Sequence, residues 1–408
     1  MTDPAAPAYA APPPAKTLRR VLWGLLLLGG ATFLIAAYGP NRLRAWQIFL
    51  VNFLFWSGMA QGGLVFVAVY DLTRARWGEP VRTLALGMGG FLPVSFFLLF
   101  VLFAGAEILF PWARQPIPEK KMWLNLPFLF SRDAIGLLGL YSVALAYLYY
   151  SLRPRVGAEL VREGGRLPWT IALLVKGWRG EEAERERSRR FLATLAPLFI
   201  VCYGLVFSLL GFDWVMALDP QFYSTLFGAY FFMSSFYLGL AGTVITAALA
   251  QKRFGLEKII GKSQFHDLGK FLLAFCMVTG DFLWSQYAVI WYGNLPEETG
   301  FIILRTKTAP WSPLAWAVLI IGFIGPFLVL LSRRAKENPV ILGAVAFFIA
   351  VGLWLERYLL VVPSLSRSPE LPLGWIELFI SLGFLSAFLL TYLGFGARFQ
   401  KILKVLPG

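Results

Sequence analysis

The chain has 408 residues, of which 58% are hydrophobic and only 15% are charged. Soluble domains carry about 25% charged residues, so the composition excludes an ordinary soluble protein and predicts an all-α integral membrane protein. The formal net charge of +14 does not indicate nucleic-acid binding, because the basic residues follow the predicted membrane topology.

Ten apolar segments of helical length follow one another along the chain. Residues 1–20 begin with an Ala- and Pro-rich stretch, and we predict a disordered cytoplasmic lead there. The first apolar run has no small-residue cleavage site behind it and ends in a turn, so we expect it to be retained as a span. The predicted spans cover residues 21–38, 46–70, 84–106, 133–152, 191–210, 223–250, 267–292, 312–331, 339–361 and 374–393.

The basic residues predict the orientation of these spans. Of 37 Lys and Arg, 27 lie in segments that are cytoplasmic if the N-terminus is inside, and 9 lie on the opposite side. This bias predicts that both termini are cytoplasmic. The predicted organisation is four spans over 21–152, a basic cytoplasmic loop over 153–190, six spans over 191–393 and a cytoplasmic tail over 394–408.

The loop 153–190 contains the stretch RGEEAERERSRR, which is typical of a short amphipathic surface helix. Such a helix either presents a solvated face or contacts lipid or a partner. The segments 46–70 and 223–250 both carry aromatic residues followed by small ones, which suggests a pseudo-repeat of two four-helix bundles. The sequence similarity between them is too weak to establish it.

Cysteine and histidine are too scarce for redox cofactors in this chain. Cys202 and Cys276 are the only cysteines and His266 is the only histidine. An iron–sulfur cluster needs four such ligands and a bis-His haem needs two histidines. We therefore expect no cofactor in this chain, and any electron-transfer group must belong to partner subunits.

One carboxylate lies near the middle of the seventh span. Asp281 is about 21 Å along the helix from Asp267, at ~1.5 Å per residue. Helical spacing places Asp281 on one face with Trp284 and Ser285, whose hydroxyl could hold a relay water. A carboxylate at this depth is costly unless it is paired or protonated. Asp281 is thus either a proton relay or a structural interhelical pair, and the sequence leaves both open.

The ninth span carries Glu356 and Arg357, about 9 Å outward of its centre at ~1.5 Å per residue. Adjacent residues are about 100° apart on a helix, so we expect these two to pair with other helices rather than with each other. A proton-path role and a role in locking the bundle are both open for them.

Further proton-path candidates lie near the ends of spans. His266 and Asp267 lie at the inner mouth of the seventh span, where His266 could accept protons because its ordinary pKa is near 6.5; helix capping is the alternative reading. Carboxylates at outer span ends can reach water, and interhelical pairing is the favoured reading for them. They are Glu107, Asp133, Asp213 and Glu377.

The outer connections 211–228 and 291–298 are unusually rich in aromatic residues. This favours burial under a peripheral subunit, although an aromatic belt at the membrane interface gives the same pattern. A quinone could bind in an apolar slot formed by Tyr287, Trp291 and Tyr292. Asp219 or Glu297 would then supply the base that quinone chemistry requires.

Three segments resemble a known family. They read FDWVMALDPQFYSTLFGAYFF over 212–232, HDLGKFLLAF with SQYAVIWYGNLPEETGFIILR within 266–305, and ENPVILGAVAFFIAVGLWLERYLLVVPSL over 337–365. These segments are similar to the ActF family, the smaller of the two NrfD-like membrane subunits of bacterial alternative complex III, a quinol:cytochrome c oxidoreductase. The resemblance spans most of the chain from the second to the tenth segment.

The resemblance implies a ten-helix fold built on two NrfD-like four-helix bundles plus two peripheral helices. It also implies a cofactor-free subunit of the bacterial inner membrane. Its implied partners are the NrfD-like subunit ActC, the periplasmic iron–sulfur subunit ActB and haem c subunits, with quinol oxidised chiefly between ActC and ActB. The family commonly has a non-acidic residue at the position of Asp281, so the resemblance gives this residue no role.

Four functions are compatible with these observations. The leading one is a non-catalytic subunit of a quinol-oxidising complex that contributes proton translocation and anchors periplasmic redox subunits. The alternatives are a purely structural scaffold, a direct quinone-binding subunit and a stand-alone transporter. The absence of obvious helix breaks near the middle of the membrane argues against the transporter.

Overall fold

The computed structural model describes residues 16–75, 77–163, 169–366 and 370–398, and within these ranges all regular structure is helical. Ten of the described helices are long and apolar enough to cross a membrane. Each coincides with a predicted span, which confirms the prediction at this level. We number them α1 (Lys16–Tyr38), α2 (Arg42–Leu72), α3 (Glu79–Ala104), α4 (Leu126–Glu163), α5 (Glu181–Trp214), α6 (Leu226–Phe254), α7 (Lys262–Gly293), α8 (Trp311–Leu331), α9 (Pro339–Leu365) and α10 (Trp375–Arg398).

Shorter helices occupy several of the connections. The connection after α3 contains Ala106–Leu109, Pro111–Arg114 and the 3₁₀ turn Pro118–Lys120. Others are Trp169–Val175 before α5, the 3₁₀ turn Met216–Leu218 after α5, Pro296–Thr306 before α8 and Arg333–Glu337 before α9. The longest of them, Pro296–Thr306 between α7 and α8, forms one side of the candidate site.

The stretch predicted as a short surface helix in the loop 153–190 is helical from Glu181, but it is not a separate helix, because its charged residues form the first turns of α5. Ion pairs between Arg185 and Glu181 at 2.6 Å and between Arg190 and Glu186 at 2.9 Å follow the i,i+4 spacing that stabilises a solvated helix. Residues 153–163 likewise continue α4. The loop is thus largely two helical extensions, and residues 164–168 lie outside the described ranges.

The predicted ends of the chain also shift. Residues 16–20 form the first turn of α1, so the predicted disordered lead is wrong for these five residues. Residues 1–15 lie outside the described ranges. At the other end α10 continues through Arg398, and residues 399–408 of the predicted tail lie outside the described ranges.

The central spans pack as two groups of four. Helices α2 to α5 contact one another in sequence, and α5 returns to α2; helices α6 to α9 do the same, and α9 returns to α6. The groups meet chiefly where α2 packs on α6. There Gly62 and Gly239 allow backbone contact, because a Cβ on Gly239 would lie 2.2 Å from the carbonyl carbon of Gly62. Helices α1 and α10 form a separate pair against α2.

Two spans are helical throughout but locally irregular. A 3₁₀ segment, Gly87–Phe91, interrupts α3, and a π segment, Ile320–Ile324, interrupts α8. Proline follows each segment closely and removes an amide donor from the helical ladder. In α8 the carbonyl of Gly322, which lies four residues before Pro326, accepts a bond from the Tyr237 hydroxyl at 3.4 Å. Neither segment breaks its helix, so the argument against a transporter stays a prediction.

Candidate functional site

A buried carboxylate, guanidinium and phenol meet between α6 and α9. The Tyr230 hydroxyl on α6 donates a hydrogen bond to the Glu356 carboxylate on α9. Arg357 lies 3.0 Å from the same carboxylate, and the side chains of Glu356 and Arg357 are only 4% and 0% exposed. The three groups form one cluster inside the apolar bundle, where burial of an unpaired charge would be very costly.

Two serines of α6 complete the shell around Arg357. Its Nη2 donates to Ser234 Oγ at 2.7 Å and to Ser235 Oγ at 3.0 Å. The guanidinium also lies over the Phe231 ring, 4.2 Å from its centroid. The expectation that Glu356 and Arg357 pair with other helices but not with each other is therefore half wrong. Both side chains face α6, and their length lets the charged ends meet across the helix turn.

The cluster retains unsatisfied hydrogen-bonding capacity. Glu356 Oε2 and Arg357 Nε are buried and form no hydrogen bond with any described residue. Buried polar atoms in proteins are usually satisfied, and those that are not commonly meet a water or a ligand. Tyr230 and Arg357 thus hydrogen-bond one oxygen of Glu356, whereas the other, Oε2, lies 3.0 Å from Arg357 Nη1 and accepts no hydrogen bond from any described residue.

Glu356 and Tyr230 line a cavity of about 470 Å³ between α6, α7, α8, α9 and the helix Pro296–Thr306. Most of its wall is aliphatic or aromatic. Trp284 of α7 and Trp316 of α8 belong to the wall and are 67% and 60% exposed. The cavity therefore opens between these two helices to the surface of the bundle. The volume and the apolar wall are in the range of sites for small organic ligands.

Arg305 supplies a second buried cation at the cavity wall. Its Nε donates to the carbonyl of Leu359 at 3.0 Å, and its Nη2 donates to the carbonyl of Leu360 at 2.9 Å. Leu359 precedes Pro363 by four residues, so proline leaves this carbonyl without its helical donor. Arg305 replaces the missing donor and fixes the short helix Pro296–Thr306 against α9.

The environment of Arg305 is mainly apolar. The guanidinium lies 3.3 Å from the centroid of the Phe301 ring, which stacks on Phe222 at 3.8 Å. Burial lowers the pKa of Arg305 to about 9, and the nearby Asp219 carboxylate opposes this shift. The guanidinium therefore remains charged at neutral pH, and the cavity has a positive residue at its wall.

Polar residues continue from this cluster into the centre of the molecule. A Cβ on Gly58 of α2 would lie 3.1 Å from Ser235 Oγ, so α2 contacts the serine shell directly. The next residue back, Ser57, hydrogen-bonds Ser95 at 2.6 Å, and Ser95 hydrogen-bonds the Tyr141 hydroxyl at 2.8 Å. One helical turn from Ser57, the side chain of Gln61 is fully buried, and neither its oxygen nor its nitrogen has a partner among the described residues.

A second acid–arginine–tyrosine cluster lies at the opposite end of α2. Arg82 binds Asp71 through two hydrogen bonds of 2.7 and 2.8 Å, and the Tyr147 hydroxyl donates to the same carboxylate. Arg82 also reaches Ser151 Oγ at 3.4 Å. Asp71 is separated from Gln61 by ten residues of α2, or about 15 Å at ~1.5 Å per residue. Polar groups thus occur along α2 between the two clusters.

The structure places Asp281 away from the Glu356 cluster. Its side chain is exposed on α7 and forms no hydrogen bond or ion pair with the described residues, including Ser285. Trp284 is exposed on the same face, as the helical spacing predicts. A relay role for Asp281 and Ser285 stays a prediction, and its path would run at the surface of this chain.

The predicted outer carboxylates fall into two classes. Glu107 is exposed, as expected for a group that reaches water. The other three are buried, so the expectation that they reach water is wrong. Asp213 pairs with Arg132 at 2.5 Å, Glu377 pairs with Arg44 at 2.8 Å, and Asp133 accepts from Trp214 Nε1 at 2.7 Å. These contacts join neighbouring helices, which favours the structural reading.

Near the start of α7, Asp267 pairs with Lys270 at 2.6 Å. The half-buried His266 has an Nδ1 atom that is buried and without a hydrogen-bond partner among the described residues. The cap of α7 instead involves Gln264, whose Oε1 accepts from the amide of Gly261 at 3.0 Å. A proton-acceptor role for His266 therefore stays a prediction.

Of the predicted quinone-site residues, only Tyr287 lines the cavity. Trp291 and Tyr292 are exposed beyond it, and Glu297 is exposed at the start of the helix Pro296–Thr306. Asp219 does not line the cavity, but its charge acts on Arg305. The cavity therefore shares only Tyr287 with the predicted quinone slot, and that slot stays a prediction.

Sequence reasoning missed several residues of the site. Tyr230 resembles any aromatic residue of an apolar span, and Arg305 reads as a basic residue of an outer connection. The one available signal for Arg305 is Pro363, because a proline within a span frees a carbonyl that must find a donor. Asp71 and Arg82 fall in the predicted connection between the second and third spans, where side chains are expected to be exposed. Arg82 is nevertheless only 4% exposed.

Within the described ranges, no group of three His, Cys, Asp or Glu side chains is arranged to hold a metal ion. Compared with protein-family models and with curated protein sequences, the chain matches none.

Proposed function

We propose that this chain is a cofactor-free, multi-pass membrane subunit of a quinol-oxidising electron-transfer complex of the bacterial inner membrane. In this proposal Glu356 transfers protons between the apolar cavity and the polar residues along α2. The observation that supports it is a buried carboxylate in the wall of a cavity that opens at the bundle surface, with one oxygen that accepts no hydrogen bond from the described residues and contacts only Arg357. Ionisable groups inside a membrane bundle commonly mark ion or proton pathways.

The cluster has the chemistry that a proton relay needs. A carboxyl group can hold a proton when neutral and release it when a neighbouring cation stabilises the anion. Arg357 supplies that cation, and Tyr230 supplies a hydrogen bond to the anionic form. The serines near Gly58 and the unsatisfied amide of Gln61 offer positions for ordered waters between the cluster and Asp71.

The resemblance to the ActF family supports the assignment to a redox complex. The helix contacts support two four-helix bundles of the NrfD-like type with α1 and α10 at the periphery. The distribution of basic residues supports cytoplasmic termini. We propose ActC, ActB and haem c subunits as partners, with the iron–sulfur subunit on the outer face near the exposed Trp291 and Tyr292.

The test is the number of protons moved per electron by the purified complex in vesicles. Glu356→Gln keeps the side-chain shape and removes the titratable group, so we expect a lower proton-to-electron ratio with intact assembly. The matched control is Glu119→Gln, because Glu119 is exposed and is not a proton-path candidate, and we expect no change from it. An unchanged ratio in Glu356→Gln would defeat the relay and favour a purely structural subunit.

A second candidate function is direct quinone binding, and the cavity itself favours it. A volume of about 470 Å³ with an apolar wall suits a substituted aromatic ring, and Tyr287, Gln286 and Arg305 supply hydrogen-bond donors. Filling the cavity with Ala315→Trp should abolish binding of a short-chain quinone analogue, measured by quenching of tryptophan fluorescence. The exposed Leu331→Trp is the control. Equal binding by both variants would exclude this cavity as the quinone site.

A further inference from the structure

A groove of about 980 Å³ lies at the end of the bundle where α6 finishes and where α7 and α9 begin. It is separate from the cavity at Glu356 and shares no lining residue with it. Its walls come from the last turns of α6, the first residue of α7, the helix Arg333–Glu337 and the first turns of α9. The function proposed above makes no use of it.

One end of the groove is basic. Lys252, Lys262 and Arg334 line it, and all three are exposed. None of them forms an ion pair or a hydrogen bond with another residue in the part of the chain that the structure describes. Two carboxylates, Glu257 and Glu337, also line the groove, but Glu337 already binds Arg333 at 2.7 Å.

Arg333 largely neutralises the charge of Glu337. Its hydrogen bond to Arg333 holds the pKa of this carboxyl below its usual value, and the charge of Lys262 acts in the same direction. Because one of the two carboxylates is neutralised in this way, three cations face a single unpaired carboxylate. The basic end therefore attracts an anion.

The rest of the groove is apolar and runs along the helices. Leu249, Val340 and Phe347 line it and are 64%, 71% and 56% exposed. From Val340 to Phe347 the wall extends about 10 Å along α9 at ~1.5 Å per residue. The floor of the groove is formed where α6 and α9 pack closely. A Cβ on Gly343 of α9 would lie only 3.0 Å from the Ala248 Cβ of α6.

We propose that this groove binds an anionic phospholipid, with its phosphate at Lys252, Lys262 and Arg334 and an acyl chain along Leu249, Val340 and Phe347. Basic pockets between membrane helices are known to suit such headgroups. A free phosphate would use the basic end alone and would leave the apolar wall uncovered. The match of a charged end with an apolar wall parallel to the helices therefore selects a lipid.

The binding test uses the purified full-length protein in phosphatidylcholine nanodiscs, titrated with phosphatidylglycerol and analysed for bound lipid by native mass spectrometry. The triple variant Lys252→Gln, Lys262→Gln, Arg334→Gln should raise the apparent Kd at least tenfold. The control variant Lys16→Gln, Arg19→Gln, Arg20→Gln removes the same charge from exposed positions at the same end of the bundle, and it should change the Kd less than twofold. Equal effects of the two variants would overturn the proposal.

A second variant separates a lipid from a free anion. Ala344→Trp places a bulky side chain on the exposed apolar wall and leaves the three cations in place. It should weaken phosphatidylglycerol binding at least fivefold. Competition by millimolar inorganic phosphate should be weak for the unmodified protein. Full displacement of the lipid by phosphate, or unchanged binding in Ala344→Trp, would assign the groove to a free anion and contradict the proposal.

Discussion

Arg357 binds the carboxylate of Glu356, its immediate neighbour in the same helix, at 3.0 Å. Neighbouring residues of an α-helix normally diverge, since each residue turns the helix by about 100°. Here both side chains bend toward α6, where Tyr230, Ser234 and Ser235 supply the remaining polar contacts. The pair is therefore anchored by a second helix, and its charges are held together at the cavity wall.

Removing Arg357 alone should be more harmful than removing both charges of this pair. Arg357→Met leaves Glu356 as a buried anion without its cation, and breaking a buried pair typically costs about 3–5 kcal/mol. We expect a clear fall in the thermal unfolding temperature of the purified protein. The double variant Glu356→Gln, Arg357→Met should recover part of that loss. Additive effects of the two changes would show that the charges are not coupled.

The contact between Arg305 and the Leu359 carbonyl predicts a compensating pair. Arg305→Met leaves this carbonyl without a donor, and an unsatisfied buried acceptor costs about 1–3 kcal/mol. Pro363→Ala restores an amide that can donate to the same carbonyl. We therefore expect the double variant to be more stable than Arg305→Met alone in thermal unfolding. A double variant that is as unstable as Arg305→Met, or less stable, would contradict this account of the proline.

The contact between α2 and α6 predicts a position that tolerates no side chain. A Cβ on Gly239 would meet the backbone of Gly62 at 2.2 Å, so Gly239→Ala must push the two groups of four helices apart. We expect loss of the folded protein from the membrane fraction, measured by size-exclusion chromatography in detergent. Gly139→Ala is the control, because a Cβ there meets nothing within 4 Å. Normal yield and elution of Gly239→Ala would contradict the packing described here.

The ten spans were predictable because a membrane helix needs a long apolar run, which composition reveals residue by residue. The irregular segments of α3 and α8 were not predictable, since they depend on how Pro93 and Pro326 combine with nearby glycines in a packed bundle.

Burial of individual side chains was the least predictable property. A carboxylate such as Asp281 lies in an apolar run and is nevertheless exposed, whereas Asp213 at a span end is fully buried, because helix rotation decides both.

The contacts of the candidate site were likewise only partly predictable, because they depend on packing between helices. Glu356 and Arg357 could be selected from the sequence because charged residues are rare within spans. Their partner Tyr230 lies 126 positions away in the chain, and its hydroxyl gives no periodic signal. The cavity arises from the gap between α7 and α8, which no local pattern encodes.

Substitution of Gln61 tests whether this buried polar residue serves proton transfer or the stability of the fold. Its buried amide has no partner among the described residues, so Gln61→Leu removes an unsatisfied group, and we expect unchanged or higher thermal stability. If ordered water at Gln61 carries protons between Ser57 and Asp71, the same variant should slow proton transfer by the complex in vesicles. Asn52→Leu is a comparison with a satisfied polar residue, because Asn52 bonds Ser381 at 2.9 Å; it should lose stability. Unchanged proton transfer in Gln61→Leu would exclude this residue from the path.

The central claim is that the chain works as a cofactor-free subunit among redox partners. The most direct measurement is purification of the tagged chain from its own membranes under mild detergent, followed by absorption spectroscopy and iron analysis. We predict that the chain elutes in a large complex with the reduced absorption bands of haem c and with iron in excess of haem. Elution of the chain by itself, without haem or iron, from membranes in which it is folded would contradict the account.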